Sequence, residues 1–208
     1  MSQLSIWGRM SSINVKKAVW TAQELGLDFV RHEAGGVHGV VKTPAYVVLN
    51  PNSQIPVMQD GDYVLWESNV ITRYLCAKYS PGNFYPADLQ ERFDAERWME
   101  WQQTMANPAS RNGFWHLVRL PAEQRDMALV AQSNMLVEPL MAILDAHLAT
   151  RSFMVGERFT MADIPLGCEV QRWLGLPQTR EKRPHIERWF ASLLARPAAK
   201  GVLDLPLA

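Results

Sequence analysis

Two stretches of this chain bring together residue types able to act on a ligand. One is Gln54-Ile55-Pro56, followed eleven residues after the proline by Glu67-Ser68. The turn-forming run Asn50-Pro51-Asn52-Ser53 precedes it, and Val57-Met58-Gln59 reads as a strand. Asp60-Gly61 signals a hairpin, with Tyr63-Val64-Leu65-Trp66 as the returning strand. Glu67-Ser68 then opens a helix with Val70, Ile71, Tyr74 and Leu75 on one face. Ser68 suits an N-cap, and an acid beside a helix N-terminus is favoured by the dipole. The other stretch is the loop Arg9-Met10-Ser11-Ser12-Ile13, between a strand ending at Ile6-Trp7-Gly8 and a helix beginning near Asn14. Taken singly, these are a turn, a cap and a connecting loop.

Other chemistries are poorly supplied. Cys76 and Cys168 are the only cysteines and form no C-x-x-C pair, which excludes a thioredoxin-type dithiol mechanism. Both read as small buried hydrophobes of helices. His32, His38, His116, His147 and His185 are scattered without metal-ligand spacing, so no metal is expected. No G-x-G-x-x-G or phosphate loop is present. Twenty-one basic residues balance 21 acidic ones, which gives nucleic acid no basic face to bind. The start, Met1-Ser2-Gln3-Leu4, lacks a charged region leading into an apolar one. No segment is expected to reach the ~20 apolar residues of a membrane span, so the chain is expected to be soluble and cytoplasmic.

The elements that must position these residues divide the 208-residue chain into two parts. Gln3 to Trp7 reads as a strand. Asn14 to Leu25 reads as a helix with Val15, Ala18, Val19, Ala22 and Leu25 in a stripe and Gly26 as its stop. Asp28 to Glu33 is a second strand, Gly35-Gly36 and Gly39 mark a loop, and Ala45 to Leu49 a short irregular helix. With the hairpin and helix above, the order is β-α-β-loop-β-β-α, a thioredoxin-like domain over residues 1–80 whose first two strands are parallel. Ser80-Pro81-Gly82-Asn83-Phe84-Tyr85-Pro86 opens a linker, 81–88. Beyond it, 89–208 reads as all-α: Leu89 to Gln103, a break at Asn107-Pro108, a stretch to about Val118, Ala122 to Ala149 with a kink at Pro139, and a last helix from Pro184. Phe159-Thr160-Met161-Ala162-Asp163-Ile164 has the pattern of a capping box and hydrophobic staple, with Thr160 as N-cap. Pro165 then falls just past the first turn and should cost one backbone hydrogen bond.

The pattern from Asn50 through Leu75 resembles the glutathione-binding half of the glutathione transferase family, and the box at Thr160 resembles one at the start of a buried helix in that family's second domain. The resemblance covers nearly the whole length. It implies a cis peptide before Pro56, which turns the Ile55 main chain toward the cysteinyl part of glutathione. It also implies that Glu67 takes the ligand's γ-glutamyl amine, and Ser68 with the helix N–H groups its carboxylate. His38 and Lys42 lie where members contact the glycine carboxylate; solvated loop charges are the alternative.

The same resemblance places a sulfur-activating residue in the loop after the first strand. A thiol of pKa ~8.5 is only about 3% thiolate at pH 7. Lowering that pKa by ~2 units takes about 2.7 kcal/mol, which a donated hydroxyl hydrogen bond and a helix N-terminus can supply together. No tyrosine occurs before Tyr46 and no cysteine lies in the loop, so the match is to a bacterial, serine-type branch, theta- or nu-like. Ser12 is the first choice for donor and Ser11 the second; capping the helix is the alternative for both. Asn14 adds an amide donor to the sulfur or the ligand backbone.

The electrophile is expected between Met10 and the first helices of the second domain. Asn107, Arg111, Phe114 and Trp115 have the spacing of one helix face lining such a cleft. Arg111 there favours an anionic substrate or stabilises transition-state charge, with an interhelix salt bridge as its alternative role. Arg9 holds a ligand carboxylate, pairs across the domain interface, or lies on the surface. The expected protein is a glutathione transferase that ionises the thiol of its co-substrate and directs it at a small electrophile. Members are usually homodimers, and Arg73 is placed at that contact. Two rivals share the scaffold: a glutathione-dependent disulfide reductase or peroxidase, and a non-enzymatic interaction protein.

Overall fold

The computed structural model of the chain describes residues 4–208. Gln3, expected to open the first strand, lies outside the described residues. Strand β1 (Leu4–Trp7) leads through helix α1 (Ile13–Glu24) to β2 (Phe29–His32), which runs parallel to it. After α2 (Pro44–Leu49), β3 (Val57–Asp60) returns antiparallel to β1, and β4 (Tyr63–Trp66) antiparallel to β3. The sheet order is β2-β1-β3-β4. Asp60 pairs with Tyr63, so the hairpin loop is Gly61-Asp62, with Gly61 at φ 65°.

Alternation sets which side chain meets which layer. Leu4, Ile6 and Met58 join the main core with α1 and α3 (Ser68–Tyr79). Val57 joins Tyr46 of α2 and Ala34 in a smaller cluster flanked by Trp7, Ile55 and Val64. α1 ends where Gly26 turns at φ 63°. The first part is thus a thioredoxin-like domain.

The rest of the described chain is helical: α4 (Leu89–Trp101), α5 (Asn107–Phe114), α6 (Met127–Leu148), α7 (Asp163–Gly175) and α8 (Pro184–Leu194). Asn107-Pro108 does not break the path as expected. Residues 102–106 form a π-turn that runs straight into α5, and Asn107 keeps helical angles of −63° and −43°. Pro108 brings no N–H to this continuous path, and the wider turn before it accommodates the ring. A second π-turn, 115–119, extends α5 as far as Arg119.

Two local expectations are corrected. α3 begins at Ser68, so Glu67 and not Ser68 holds the N-cap position, at φ 73°. α7 begins at Asp163, so Pro165 sits inside its first turn and costs no intrahelical bond. Only half of the capping box forms. The Asp163 carboxylate accepts from Thr160 N (2.8 Å), while the Thr160 hydroxyl turns to that carboxylate instead of the helix. Asp163 also accepts from Met154 N and Trp189 Nε1, both at 2.9 Å, tying α7 to α8.

The two halves join through α1, which packs on both α3 and α7. A methyl group on Gly167 would lie 2.8 Å from the Trp20 ring, so these helices touch at van der Waals distance. Across the seam runs a buried polar chain. Lys17 Nζ donates to Asn69 Oδ1 (3.1 Å), Gln102 Oε1 (2.7 Å) and Gln103 Oε1 (3.1 Å), and Gln102 Nε2 donates to Glu169 Oε2 (2.8 Å). Burial lowers the Lys17 pKa to about 8. Arg73, placed by sequence at a dimer contact, is paired within the chain to Glu96 and Glu100 of α4.

α6 corrects a further expectation. Its 22 residues include an apolar window of mean hydropathy 1.5 and are long and apolar enough to cross a membrane by length and composition alone. Here it lies in the bundle against α5 and α8, with Val137, Met141, Leu144 and Leu148 in the core.

Candidate active site

The site lies where the loop from β1 into α1 faces α5. The loop's entry is fixed by Gly8, whose N–H donates to His32 O (2.9 Å) and whose carbonyl accepts from Arg31 (3.0 Å). A Cβ at Gly8 would come within 2.3 Å of Val15 Cγ2, so only glycine lets strand and helix approach this closely. Ser12 takes the N-cap position of α1, and its carbonyl accepts from Lys16 N (3.0 Å), yet its hydroxyl makes no capping bond. Ser11 is engaged differently: its Oγ accepts from Arg9 Nε (3.1 Å), and its carbonyl accepts from Arg119 Nη2 (2.8 Å). Ser12 is thus the loop hydroxyl with no hydrogen-bond partner, at the positive end of α1, while Ser11 Oγ accepts from Arg9 and keeps its own O–H to donate. Asn14 follows it into the helix. It lines the cleft, and its Oδ1 is buried without a partner.

A cleft of about 340 Å³ opens beside these residues, lined by Arg9, Ser11, Ser12 and Asn14 on one side and by Asn107, Arg111, Phe114 and Trp115 on the other. Met10 does not line it and packs on the main core. Arg119 and Arg172 complete the lining, and sequence reading missed both. Arg119 follows Arg111 and Trp115 at helical spacing, a signal obscured by ending the helix at Val118. Arg172 Nη1 donates to Asn107 Oδ1 (2.8 Å) and Ser110 Oγ (3.1 Å), which holds α5 to α7 behind the cleft. No local pattern in α7 marks that role. Arg111 is exposed and, among the described residues, forms no ion pair, so the interhelix salt bridge considered for it is absent.

The second stretch forms the neighbouring wall. The Ile55–Pro56 peptide is cis. The carbonyl of Gln54, just before it, accepts from Tyr46 Oη (2.8 Å) and Asn50 Nδ2 (2.9 Å), both from buried residues. Among the described residues, neither the N–H nor the C=O of Ile55 is paired. Glu67 is exposed and unpaired at φ 73°, a left-handed conformation that costs a non-glycine residue energy and gathers at functional sites. Ser68 is buried at the first turn of α3.

Arg9 links the two walls. Its guanidinium lies over Gly35 and Gly36, where added Cβ atoms would stand 3.1 and 3.0 Å from Nη1, and Gly35 also abuts Ile55. His38 and Lys42 lie further along that loop, both exposed, and neither lines the cleft; His38 Nε2 is 3.5 Å from Glu33. Burial pushes the thiols of Cys76 and Cys168 up to about 12, so neither ionises near neutral pH. No cluster of three or more metal-ligating side chains occurs among the described residues.

Comparisons with known proteins give the same frame. Family models described as the N-terminal and C-terminal domains of glutathione S-transferase match residues 2–77 and 104–197. The chain is 36% identical over 207 residues to glutathione S-transferase GstB of Escherichia coli, covering 98% of this chain and 99% of that one. It is 33% identical to glutathione S-transferase 3 of Zea mays, covering 100% and 96%. The theta class glutathione S-transferase from Xanthomonas axonopodis pv. citri, solved with glutathione bound, superposes with a TM-score of 0.96 at 42% identity over all of both chains. The chain belongs to the glutathione S-transferase family.

Proposed function

We propose that this protein binds glutathione along the Ile55–Pro56 and Glu67-Ser68 wall and ionises its thiol at Ser12 for attack on a small electrophile. The observation that carries the reading is the unpaired Ser12 hydroxyl at the N-terminus of α1, facing the cleft, while Ser11 is tied to two arginines.

The chain's own groups fit the tripeptide. The free N–H and C=O of Ile55 offer one strand-like pair of hydrogen bonds. Glu67 presents an unpaired carboxylate to an amine. The first turn of α3, with Ser68, presents N–H groups and a hydroxyl to a carboxylate. His38 and Lys42 offer N–H donors to the second carboxylate. Ser12 Oγ–H donates to the sulfur, and the helix end adds its partial positive charge. Asn14 Nδ2 steadies the sulfur or the adjoining amide. The thiol proton leaves to solvent, and the thiolate meets an electrophile held between Phe114, Trp115 and Arg111.

The division at 1–80, 81–88 and 89–208 belongs to this proposal, as do a cytoplasmic setting and a role in detoxification. So does a homodimer: Trp66, Val70, Phe93 and Met105 on and around α3 and α4 are 38–62% exposed and suit a self-complementary face. Calorimetric titration with glutathione tests the core of the reading. Binding that weakens about tenfold or more in Glu67→Ala supports it; no heat in the wild type refutes it.

A further inference from the structure

The cleft's charge is one-sided. Four of its eleven lining residues are arginines, namely Arg9, Arg111, Arg119 and Arg172, and none is acidic. Glu169 is fully buried, stands 3.9 Å from Arg172, and is occupied by Gln102 and Ser110. Arg9 and Arg119 spend donors on Ser11 and, among the described residues, pair with no carboxylate. Arg111 is exposed with no partner among the described residues. Arg9, Arg111 and Arg119 thus line one cavity with no acidic side chain among its lining residues, while the terminal residue Ala208 lies in the adjoining pocket that shares Ser11, Phe114 and Arg172. The repulsion registers on Arg119, whose pKa is lowered by burial first and then by Arg9 and Arg172. Such crowding is costly unless something negative enters.

The walls also suit a flat guest. Phe114 has Arg172 over its ring at 4.8 Å and Arg119 at 5.2 Å, and Trp115 is half exposed on the same side. A cleft of about 340 Å³ matches a single substituted ring. A planar carboxylate or sulfonate group fits the fork of a guanidinium in two-point contact.

We infer that the electrophile is an anionic, ring-bearing compound whose carboxylate or sulfonate is held chiefly by Arg111, with Arg9 and Arg119 supplying the surrounding positive field. The inference rests on the glutathione reading above and names the substrate class of that site. In a displacement on such a ring, the thiolate sulfur bonds to the carbon bearing a halide. The ring and its electron-withdrawing groups take the electron pair, and the halide departs with the electrons of the broken bond. The acidic group stays unchanged and serves as the handle.

The test compares 4-chloro-3,5-dinitrobenzoate with the equally shaped, neutral 4-chloro-3,5-dinitrobenzamide, each rate divided by its uncatalysed rate with glutathione. The wild type should prefer the benzoate by about tenfold or more in kcat/KM, and the preference should shrink as salt is raised. In Arg111→Gln the ratio should fall to within about threefold of unity, while Arg111→Lys keeps part of it. Glutathione affinity is measured by calorimetry in parallel. Wild type that binds glutathione and turns over both compounds without preference overturns this inference and spares the glutathione reading. An unchanged ratio in Arg111→Gln overturns it too, as does a loss in that variant that appears only in glutathione affinity. Absence of glutathione binding in the wild type overturns the underlying reading itself.

Discussion

Replacing Ser12 with alanine removes one hydroxyl and, on the observed geometry, little else. Its side chain makes no capping bond, so stability should fall by less than the ~1 kcal/mol of a working N-cap. The effect on the bound thiol is larger. A hydrogen bond to a charged acceptor contributes about 1.5–3 kcal/mol, and 1.36 kcal/mol corresponds to one pKa unit. The bound thiol's pKa should therefore rise by about 1–2 units in Ser12→Ala. Starting from ~6.5, the thiolate fraction at pH 7 falls from about 75% to about 3–25%. At pH 9 both proteins hold mostly thiolate, and the gap narrows to less than about twofold. The assay is kcat/KM with saturating glutathione from pH 6 to 9.5, beside ultraviolet titration of the bound thiolate. A loss of about 3- to 25-fold at neutral pH that alkali restores supports the assignment. A loss of constant size across that range, or an unmoved titration, refutes it and returns Ser12 to a structural role.

Other expectations follow from single contacts. Tyr46→Phe removes one of two donors to the Gln54 carbonyl and should loosen the Ile55 wall, weakening glutathione binding roughly fivefold by calorimetry with a modest change in melting temperature. Gly167→Ala drives a methyl group to within 2.9 Å of both Trp20 and Leu193 and should cost about 1–3 kcal/mol in a denaturant titration. Lys17→Met leaves the oxygens of Asn69, Gln102 and Gln103 without their donor and should cost about 2–4 kcal/mol; unchanged stability would show that water replaces the ammonium. Asp163 gives an unusual pH dependence. Burial raises its carboxyl from 3.8 to about 6 despite the donors around it. Between those values the folded form holds more protons than the unfolded, so this group's contribution to stability falls as pH rises, by about 3 kcal/mol in all. Stability of the wild type minus that of Asp163→Asn, measured from pH 3.5 to 6.5, should show that decline; a flat difference would mean the donors outweigh desolvation.

Local patterns were enough to mark every strand and most helices of the first domain. The Asp60-Gly61 signal, the Gly26 stop and the acid-serine pair before α3 act over a few residues, so neighbours in sequence decide them. Ser12 and the α5 face of Asn107, Arg111, Phe114 and Trp115 were legible for the same reason, since a loop entering a helix and a helical repeat both declare themselves locally. What failed was short-range detail that depends on the far side of a packing contact. Pro108 reads as a breaker until the π-turn before it makes room, and Thr160 reads as a cap until the turn shifts three residues on.

The charges were decided by tertiary structure alone. Nothing in the Lys16-Lys17 sequence marks burial, yet Lys17 is sealed where α1, α3 and the π-turn meet, and amide oxygens there accept its donors. Nothing local to Arg73 announces the two carboxylates that α4 brings to it. Arg172, sixty-one residues beyond Arg111, reaches the same cleft because α7 packs behind α5. Hydrophobic period and turn chemistry are written along the chain. Whether a charge is paired, buried or left open depends on which distant segment is folded against it, and no local spacing encodes that.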